Sequence, residues 1–249
     1  MNKNPKFQIK KRKNIIKLKM ENNKTENNNI SFFKSLIPQK VSNDLVISFY
    51  EFLRKISFHN FEENLEKNKI NFQNHIKEIE KNNGYIENQH EYTDIYYGKK
   101  TISYCGCEII ATYNSIYDLT GRHEISFPDM INSFEKDGIV LSGEFGTAPK
   151  AIEDYLKKQG FKTKSSTKKE EYDKIGILAD ALILTIYNDK YDIFHMIHSF
   201  NITKRNGKFY IHNNGYQCYL EPYLSITDLL NRINKGMSKD IFLIGIFKN

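Results

Sequence analysis

The chain has 249 residues, of which 39% are hydrophobic and 27% are charged, with a formal net charge of +7. That length allows one large folded domain with extensions. It contains no run of about eighteen apolar residues, and its basic N-terminus lacks the apolar core of a signal peptide, so no membrane span or secretory signal is expected. Three cysteines, two of them nearly adjacent, do not form a disulfide framework and predict a reducing, cytoplasmic setting.

The positive charge is concentrated at the N-terminus. Residues 1–24 carry eight lysines, Arg12 and one acid, a net charge of +8 that leaves −1 for the rest of the chain. Residues 1–30 are also rich in Asn and poor in apolar side chains, so we expect a disordered basic tail. Because the body is nearly neutral, a solvated tail explains the charge better than specific nucleic-acid binding does.

Residues 31–84 have the residue spacing of helices. The pair Ser42-Asn43 can cap a first helix, and a second helical run from Phe61 to Ile79 ends at Asn83-Gly84. The first helix carries an apolar stripe made of Leu45, Phe49, Phe52, Leu53 and Ile56. Nothing in this helical extension carries chemistry, and it could contact a partner protein.

The remaining residues, 85–249, are predicted to form the main domain around a helix at about 105–119. Apolar residues recur there at steps of three, four and seven, which predicts one buried face. Cys107 lies in the first turn, where unpaired N–H groups and the helix dipole favour an anion and lower the pKa of a cysteine. Cys107 is therefore a candidate nucleophile with Cys105 as its rival, although a buried cysteine can also be purely structural.

Other local signals complete an α+β arrangement. Helices are predicted at 127–137 behind a capping box of Ser126 and Asp129, from Thr147 to Gly160, and at about 226–235. Apolar runs at 182–187 and 241–247 predict buried strands. Asn206-Gly207, between two alternating segments, predicts a hairpin with a two-residue loop. Helices followed by a mostly antiparallel sheet define the α+β class.

The predicted hairpin selects one histidine. A two-residue loop pairs Ile202 with Ile211, and alternation along the strands then places His198 and Asn213 on one face as diagonal neighbours. His195 points to the other face. His198 therefore has an amide beside it that could orient its imidazole.

Cys107, His198 and Asn213 form a candidate catalytic set for nucleophilic acyl transfer. Cys107 would attack a carbonyl as a thiolate, His198 would transfer the proton, and the side-chain oxygen of Asn213 would fix the imidazole tautomer. A one-residue bulge in the hairpin would bring Asn214 into play. His195 likewise stays open as a replacement for His198.

The order of these segments resembles the papain-like cysteine peptidases of the bacteriocin-processing C39 type, over about residues 100–249. The segments that carry the resemblance are the Cys107 helix, Gly146-Thr147-Ala148-Pro149, Ile197-His198-Ser199-Phe200 and Ile211-His212-Asn213. The resemblance implies a papain-like fold in which a helix bearing the cysteine packs on the sheet. It also implies cleavage of a peptide or protein substrate, often after a double-glycine leader, without a metal or an organic cofactor.

Two departures from the family concern the oxyanion and the nucleophile. The family usually has a glutamine six residues before the cysteine, where this chain has Thr101 for Cys107 or Lys99 for Cys105. No oxyanion donor is therefore assigned. The family's Cys-Gly-Pro motif fits Cys105 better than Cys107. A peptidase-like domain that binds without cleaving, or that catalyses another acyl transfer such as transglutamination, is the alternative function.

A zinc site is a further alternative. Cys105, Cys107, His195 and His198 offer four possible ligands in two close pairs. The Cys-x-Cys spacing is tighter than usual, however, and strand alternation separates the two histidines. We therefore expect neither a metal nor an organic cofactor.

Overall fold

A computed structural model describes residues 42–187, 197–213, 222–234 and 240–248. The tail predicted at 1–30 lies outside these residues. Ser42–Asn249 form one compact unit, while the boundaries expected at 31–84 and 85–249 stay predictions. No helix among the described residues is long and apolar enough to cross a membrane.

Helices and an antiparallel sheet make up the described part of the chain. The α-helices are α1 (Asn43–Ile56), α2 (Glu62–Phe72), α3 (Ile76–Lys81), α4 (Ile102–Cys105), α5 (Cys107–Thr120), α6 (Phe127–Asp137), α7 (Pro149–Lys158), α8 (Tyr172–Leu178) and α9 (Ile226–Asn234). The strands are β1 (Tyr96–Tyr97), β2 (Lys100–Thr101), β3 (Lys162–Ser166), β4 (Ala181–Tyr187), β5 (Ile197–Arg205), β6 (Lys208–His212) and β7 (Asp240–Phe247).

The five longer strands form one sheet in the order β3-β7-β4-β5-β6, with antiparallel neighbours throughout, and β1 pairs with β2 separately. The α+β prediction is therefore confirmed. The predicted strands at 182–187 and 241–247 are β4 and β7, both inside the sheet. Their apolar runs are explained by burial on both faces.

The two faces of the sheet are covered by different helices. On one face α5 contacts β5, where Asn201 Nδ2 donates to Ser115 Oγ at 2.8 Å. The other face packs against α8 and α9. Its apolar core includes Leu182, Leu184, Phe200 and Ile202 from the sheet, Ile175 from α8 and Leu229 from α9.

Local capping signals place the helix ends as expected. Ser42 Oγ accepts from the N–H of Leu45 at the start of α1, and Ser126 Oγ accepts from the N–H of Asp129 at the start of α6. α5 ends at Gly121, whose left-handed φ of 73° suits glycine. The single helix expected from Phe61 to Ile79 is instead two helices, α2 and α3, separated by residues 73–75.

The Asn206-Gly207 hairpin forms with the predicted register. Both loop residues have positive φ, 52° and 73°, as a type I′ turn requires, and Ile202 pairs with Ile211. Pairing of β5 with β6 reaches only Asn201 and His212 among the described residues. Asn213 follows with φ of 59° and turns the chain out of the strand. Residues 197–200 therefore pair with β4 but not with β6 in the described part of the chain.

The N-terminal helices contact the rest of the compact unit through polar groups. Arg54 of α1 forms ion pairs of 2.9 Å with both Asp137 and Asp154. Asn64 of α2 donates to the buried carboxyl of Glu135 at 2.6 Å. These helices are thus held against α6 and α7 by contacts that their own spacing does not predict.

Candidate active site

Cys107 is the first residue of α5. α4 ends at Cys105, and Gly106 joins the two helices where a Cβ atom would lie 2.7 Å from the side chain of Ile102, so glycine allows this close approach. The Cys107 Sγ donates to the main-chain carbonyl of Ile197 at 3.8 Å. The thiol therefore meets β5 at the residue just before His198, on the stretch of β5 that β6 has left.

His198 is held by a neutral carbonyl. Its Nε2 lies 3.1 Å from the main-chain oxygen of Asn213. A carbonyl can only accept a hydrogen bond, so Nε2 carries the proton and Nδ1 keeps its lone pair. Nδ1 has no hydrogen bond to a described residue. Burial lowers the pKa of His198 to about 4, so the imidazole is neutral near pH 7.

Asn213 reaches His198 in a different way from the one expected. The sequence predicted that its side-chain oxygen would orient the imidazole, but that oxygen accepts from the N–H of Gln89 at 2.9 Å. Its Nδ2 donates to Gln89 Oε1 at 3.2 Å. The expected role of the side chain is therefore wrong in this structure. The left-handed backbone at Asn213 turns the side chain away and presents its carbonyl instead.

Glu87 links this contact to a second histidine. One carboxylate oxygen of Glu87 accepts from the N–H of Asn213 at 3.1 Å, and the other lies 2.6 Å from His212 Nδ1. His212 Nε2 lies 3.2 Å from Thr203 Oγ1, and its ring stacks on Tyr85 at 3.9 Å. Both nitrogens of His212 thus have partners, whereas His198 has a partner for one of its two nitrogens among the described residues.

A buried carboxyl group lies on the cysteine side of the site. Glu108 is 1% exposed, and neither carboxyl oxygen has a hydrogen-bond partner within the described ranges. Burial raises the pKa of Glu108 to about 8, although the Cys107 thiol, the Thr147 N–H and the Ser199 hydroxyl lie near enough to oppose the shift. The carboxyl is therefore mostly protonated at pH 7.

The thiol of Cys107 does not have the lowered pKa expected at a helix start. Burial, followed by the neighbouring carboxyl of Glu108, raises its pKa well above the ordinary value. Desolvation of the thiolate outweighs the helix dipole, whose effect on a single group is about 0.3–1 kcal/mol. Cys107 is therefore a neutral thiol at rest.

Cys105 has a different neighbourhood. It is 1% exposed, and its Sγ donates to the carbonyl of Thr101 at 3.6 Å. A Cβ atom at Gly143 would lie 3.4 Å from that sulfur. Burial also raises the pKa of this thiol. Since Cys105 contacts the turn before α4 and Cys107 contacts β5, Cys107 is the cysteine beside the strand that carries His198. Alternation along β5 nevertheless puts the His198 side chain on the face of Phe200, with the two ring centroids 5.8 Å apart, and not on the face that α5 covers.

Other candidates from the sequence lie in part outside the structure. His195 and Asn214 are not among the described residues. In the ranges that the structure describes, no cluster of three or more His, Cys, Asp or Glu side chains could hold a metal ion. The zinc alternative therefore has no described ligand set.

Three residues of the site were missed by sequence reasoning. Glu87 and Gln89 lie in a polar segment with no recognisable motif, and their partners are 124 to 126 residues away along the chain. Glu108 could have been noticed, because it follows Cys107 in a helix whose other residues are mostly apolar. No pattern in the sequence reveals that its carboxyl has no hydrogen-bond partner among the described residues.

Comparisons with known proteins give one similarity. No protein-family model matches this chain, and no curated protein matches it. Among solved structures, it is similar to the peptidase domain of Streptococcus ComA, a bifunctional ABC transporter involved in a quorum-sensing pathway. The two chains are 14% identical with a TM-score of 0.40, over 57% of this chain and 91% of that domain. A similarity at this level does not establish a family.

Proposed function

We propose that this protein is a cysteine-dependent hydrolase of peptides, with Cys107 as the nucleophile and His198 as the general base. The observation that carries the proposal is the placement of the Cys107 thiol against the carbonyl of Ile197, adjacent to His198. His198 is in turn held by Asn213. The order and roles of these residues are those that the resemblance to bacteriocin-processing peptidases implies.

The tautomer of His198 suits this role. Its Nε2–H is committed to the Asn213 carbonyl, so Nδ1 is the nitrogen that accepts the proton of the thiol. As the S–C bond to the substrate carbonyl forms, the proton moves to Nδ1. It is then given to the leaving amine as the C–N bond breaks. Water hydrolyses the thioester by the same route, and its proton returns through His198 to the sulfur.

The resting state in this proposal is a neutral thiol beside a neutral imidazole. Burial raises the pKa of Cys107 and lowers that of His198, so both shifts disfavour an ion pair before substrate binds. Proton transfer then accompanies attack on the substrate. Such a site reacts slowly with general alkylating reagents while still acting on a bound carbonyl.

A second candidate function is peptide binding without cleavage. Both cysteines are nearly fully buried, and no hydrogen bond joins the Cys107 thiol to the His198 imidazole in the described part of the chain. A peptidase-like domain that has lost hydrolysis would show this separation too. The two candidates differ in whether new peptide ends are produced.

The test is a digest of a complex peptide mixture. Peptides from a whole proteome, with their amines blocked, are incubated with the purified full chain, and new amino termini are identified by mass spectrometry. Cys107→Ala and His198→Ala should each lower the cleavage rate at least about 100-fold, the scale of a lost nucleophile or general base. Cys105→Ala is the matched control and should retain cleavage.

Two outcomes would decide against the proposal. Cleavage that survives in Cys107→Ala but not in Cys105→Ala would transfer the nucleophile to Cys105. New termini no more abundant than in Cys107→Ala would exclude hydrolysis of these peptides and favour the binding function. Retention of peptides on the immobilised chain would then identify what is bound.

A further inference from the structure

Helix α1 has an apolar face that the rest of the described chain leaves uncovered. Val46, Ile47, Tyr50 and Leu53 of this helix are buried against the body. The side next to this buried face carries large apolar side chains that remain half exposed, namely Leu45 at 55%, Phe52 at 53% and Ile56 at 50%. With the partly exposed Phe49 they form what we call the outer stripe, which consists of Leu45, Phe49, Phe52 and Ile56.

The outer stripe has the spacing of a coiled-coil seam. Its members are separated by four, three and four residues, which corresponds to d, a, d and a positions of two heptads. This series of intervals is the same when it is read from either end of the helix. When two copies of the stripe run antiparallel, Leu45 lies against Ile56 of the second copy and Phe49 against its Phe52, so every apolar position has an apolar partner.

Charges beside the stripe fit the same arrangement. Asp44 at the start of α1, whose carboxylate also accepts from the Thr167 hydroxyl, and Lys55 near its end are both exposed and lie on the same edge of the outer stripe. A two-fold axis through the middle of the helix places Asp44 of one copy near Lys55 of the second copy, twice. The antiparallel helix dipoles are also complementary, whereas a parallel pair would place like charges together.

We propose that the outer stripe of α1 binds a second copy of this chain as an isologous, antiparallel helix pair. This inference does not depend on the hydrolase proposal. Two heptads bury less surface than the roughly 800 Å² per partner of a standard stable interface. The dimer is therefore weak, with a dissociation constant on the order of 10–100 μM.

The first test measures association of the full chain by sedimentation equilibrium at concentrations from about 5 to 500 μM, which span the expected dissociation constant. Phe52→Glu puts a charge in the centre of the outer stripe and should weaken association at least about tenfold. The matched control is Ile70→Glu on α2, since Ile70 is 72% exposed and lies outside the stripe. It should leave the dissociation constant unchanged.

A second test determines by disulfide cross-linking whether the two α1 helices are antiparallel. In a Cys218→Ser background, Leu45→Cys and Ile56→Cys proteins are mixed and mildly oxidised. A disulfide between the two different proteins, with little in either protein alone, supports the antiparallel pair. A monomer at every concentration, association unaffected by Phe52→Glu, or linkage of Leu45→Cys chiefly to itself would overturn the proposal. A monomeric result would assign the stripe to a different partner.

Discussion

The candidate site has a histidine side and a cysteine side, and they bury polar groups in different ways. On the histidine side, Glu87 binds His212 and the N–H of Asn213, and the carbonyl of Asn213 binds His198. On the cysteine side, the carboxyl of Glu108 has no hydrogen-bond partner among the described residues, and it lies beside a buried thiol.

The two sides therefore differ in what their buried polar groups determine, which is position on the histidine side and protonation state on the cysteine side. A buried network in which each group has a partner is costly to break and holds its members in place. A buried carboxyl without partners is held in its neutral form and changes state near neutral pH. The contacts on the histidine side therefore hold His198 in position, while the carboxyl on the cysteine side makes the stability of the fold sensitive to pH.

A large loss of stability is expected from breaking the histidine side. Glu87→Ala leaves the His212 ring and the N–H of Asn213 without their acceptor, and should lower the free energy of unfolding by about 3 kcal/mol. Urea denaturation measures this loss. Glu63→Ala, which removes an exposed carboxylate paired with Lys67, is the control and should cost less than about 0.5 kcal/mol. Equal losses would contradict a structural role for the Glu87 network.

The pKa of Glu108 is raised, so its effect on stability should have the opposite pH dependence to that of a paired surface carboxylate, which stabilises the fold as pH rises. The pKa of Glu108 is raised from 4.5 to about 8, so the folded chain holds a proton that the unfolded chain has released. Stability therefore falls as pH rises from about 4.5 to about 8. Glu108→Gln cannot ionise, so its free energy of unfolding relative to wild type should improve by about 4 kcal/mol between pH 5 and pH 9.

Urea titrations of both proteins at several pH values test this prediction, and the difference between them isolates Glu108 from other titrating groups. A difference that is constant from pH 5 to pH 9 would show that Glu108 ionises normally. If the free energy of unfolding of Glu108→Gln instead falls relative to wild type as pH rises, the carboxylate form of Glu108 is stabilised by a partner.

A third prediction separates the main chain of Asn213 from its side chain. Asn213→Gly tolerates the φ of 59° and keeps the carbonyl that binds His198, but loses both side-chain bonds to Gln89, which should cost about 1 kcal/mol. Nitrogen NMR should still show His198 protonated at Nε2. Loss of that tautomer in Asn213→Gly would restore the side-chain role predicted from the sequence.

The smallest effect concerns the protonation of His198. Its pKa is lowered to about 4 in the folded chain from about 6.5 unfolded, so the unfolded state binds more protons between these values. The free energy of unfolding therefore has its full His198 contribution above about pH 6.5 and decreases as the pH drops towards 4. Because the side chain is only partly buried, this loss should be about 1 kcal/mol. In acid denaturation, His198→Ala should not show this loss of stability between about pH 6.5 and pH 4. If the variant loses as much stability as the wild type, other groups cause the loss.

Local sequence signals predicted much of the fold. The Ser126 cap, the Asn206-Gly207 turn and the apolar runs of β4 and β7 each depend on residues a few positions apart, and each forms as expected. β3 was missed because its residues, Lys162–Ser166, are lysine, threonine and serine at the edge of the sheet. Such a strand is stabilised by pairing with β7 rather than by its own apolar pattern.

The sequence also identified Cys107, His198 and Asn213 as candidate site residues, and the structure describes the contacts of each. Their catalytic roles stay a prediction. The expected pKa of the thiol was wrong because burial is a property of the whole packed chain, whereas a helix start is local.

By itself, the sequence determined the capped starts of α1 and α6, the buried strands β4 and β7, the register of the hairpin and the residue types available for chemistry. These features depend on backbone preferences and on spacing along a short stretch. Only the tertiary structure decided which face of α1 is buried, which atom of Asn213 contacts His198 and which buried carboxyl has no hydrogen-bond partner in the described part of the chain. Those outcomes depend on contacts between residues far apart in the chain, where alternation and periodicity carry no information.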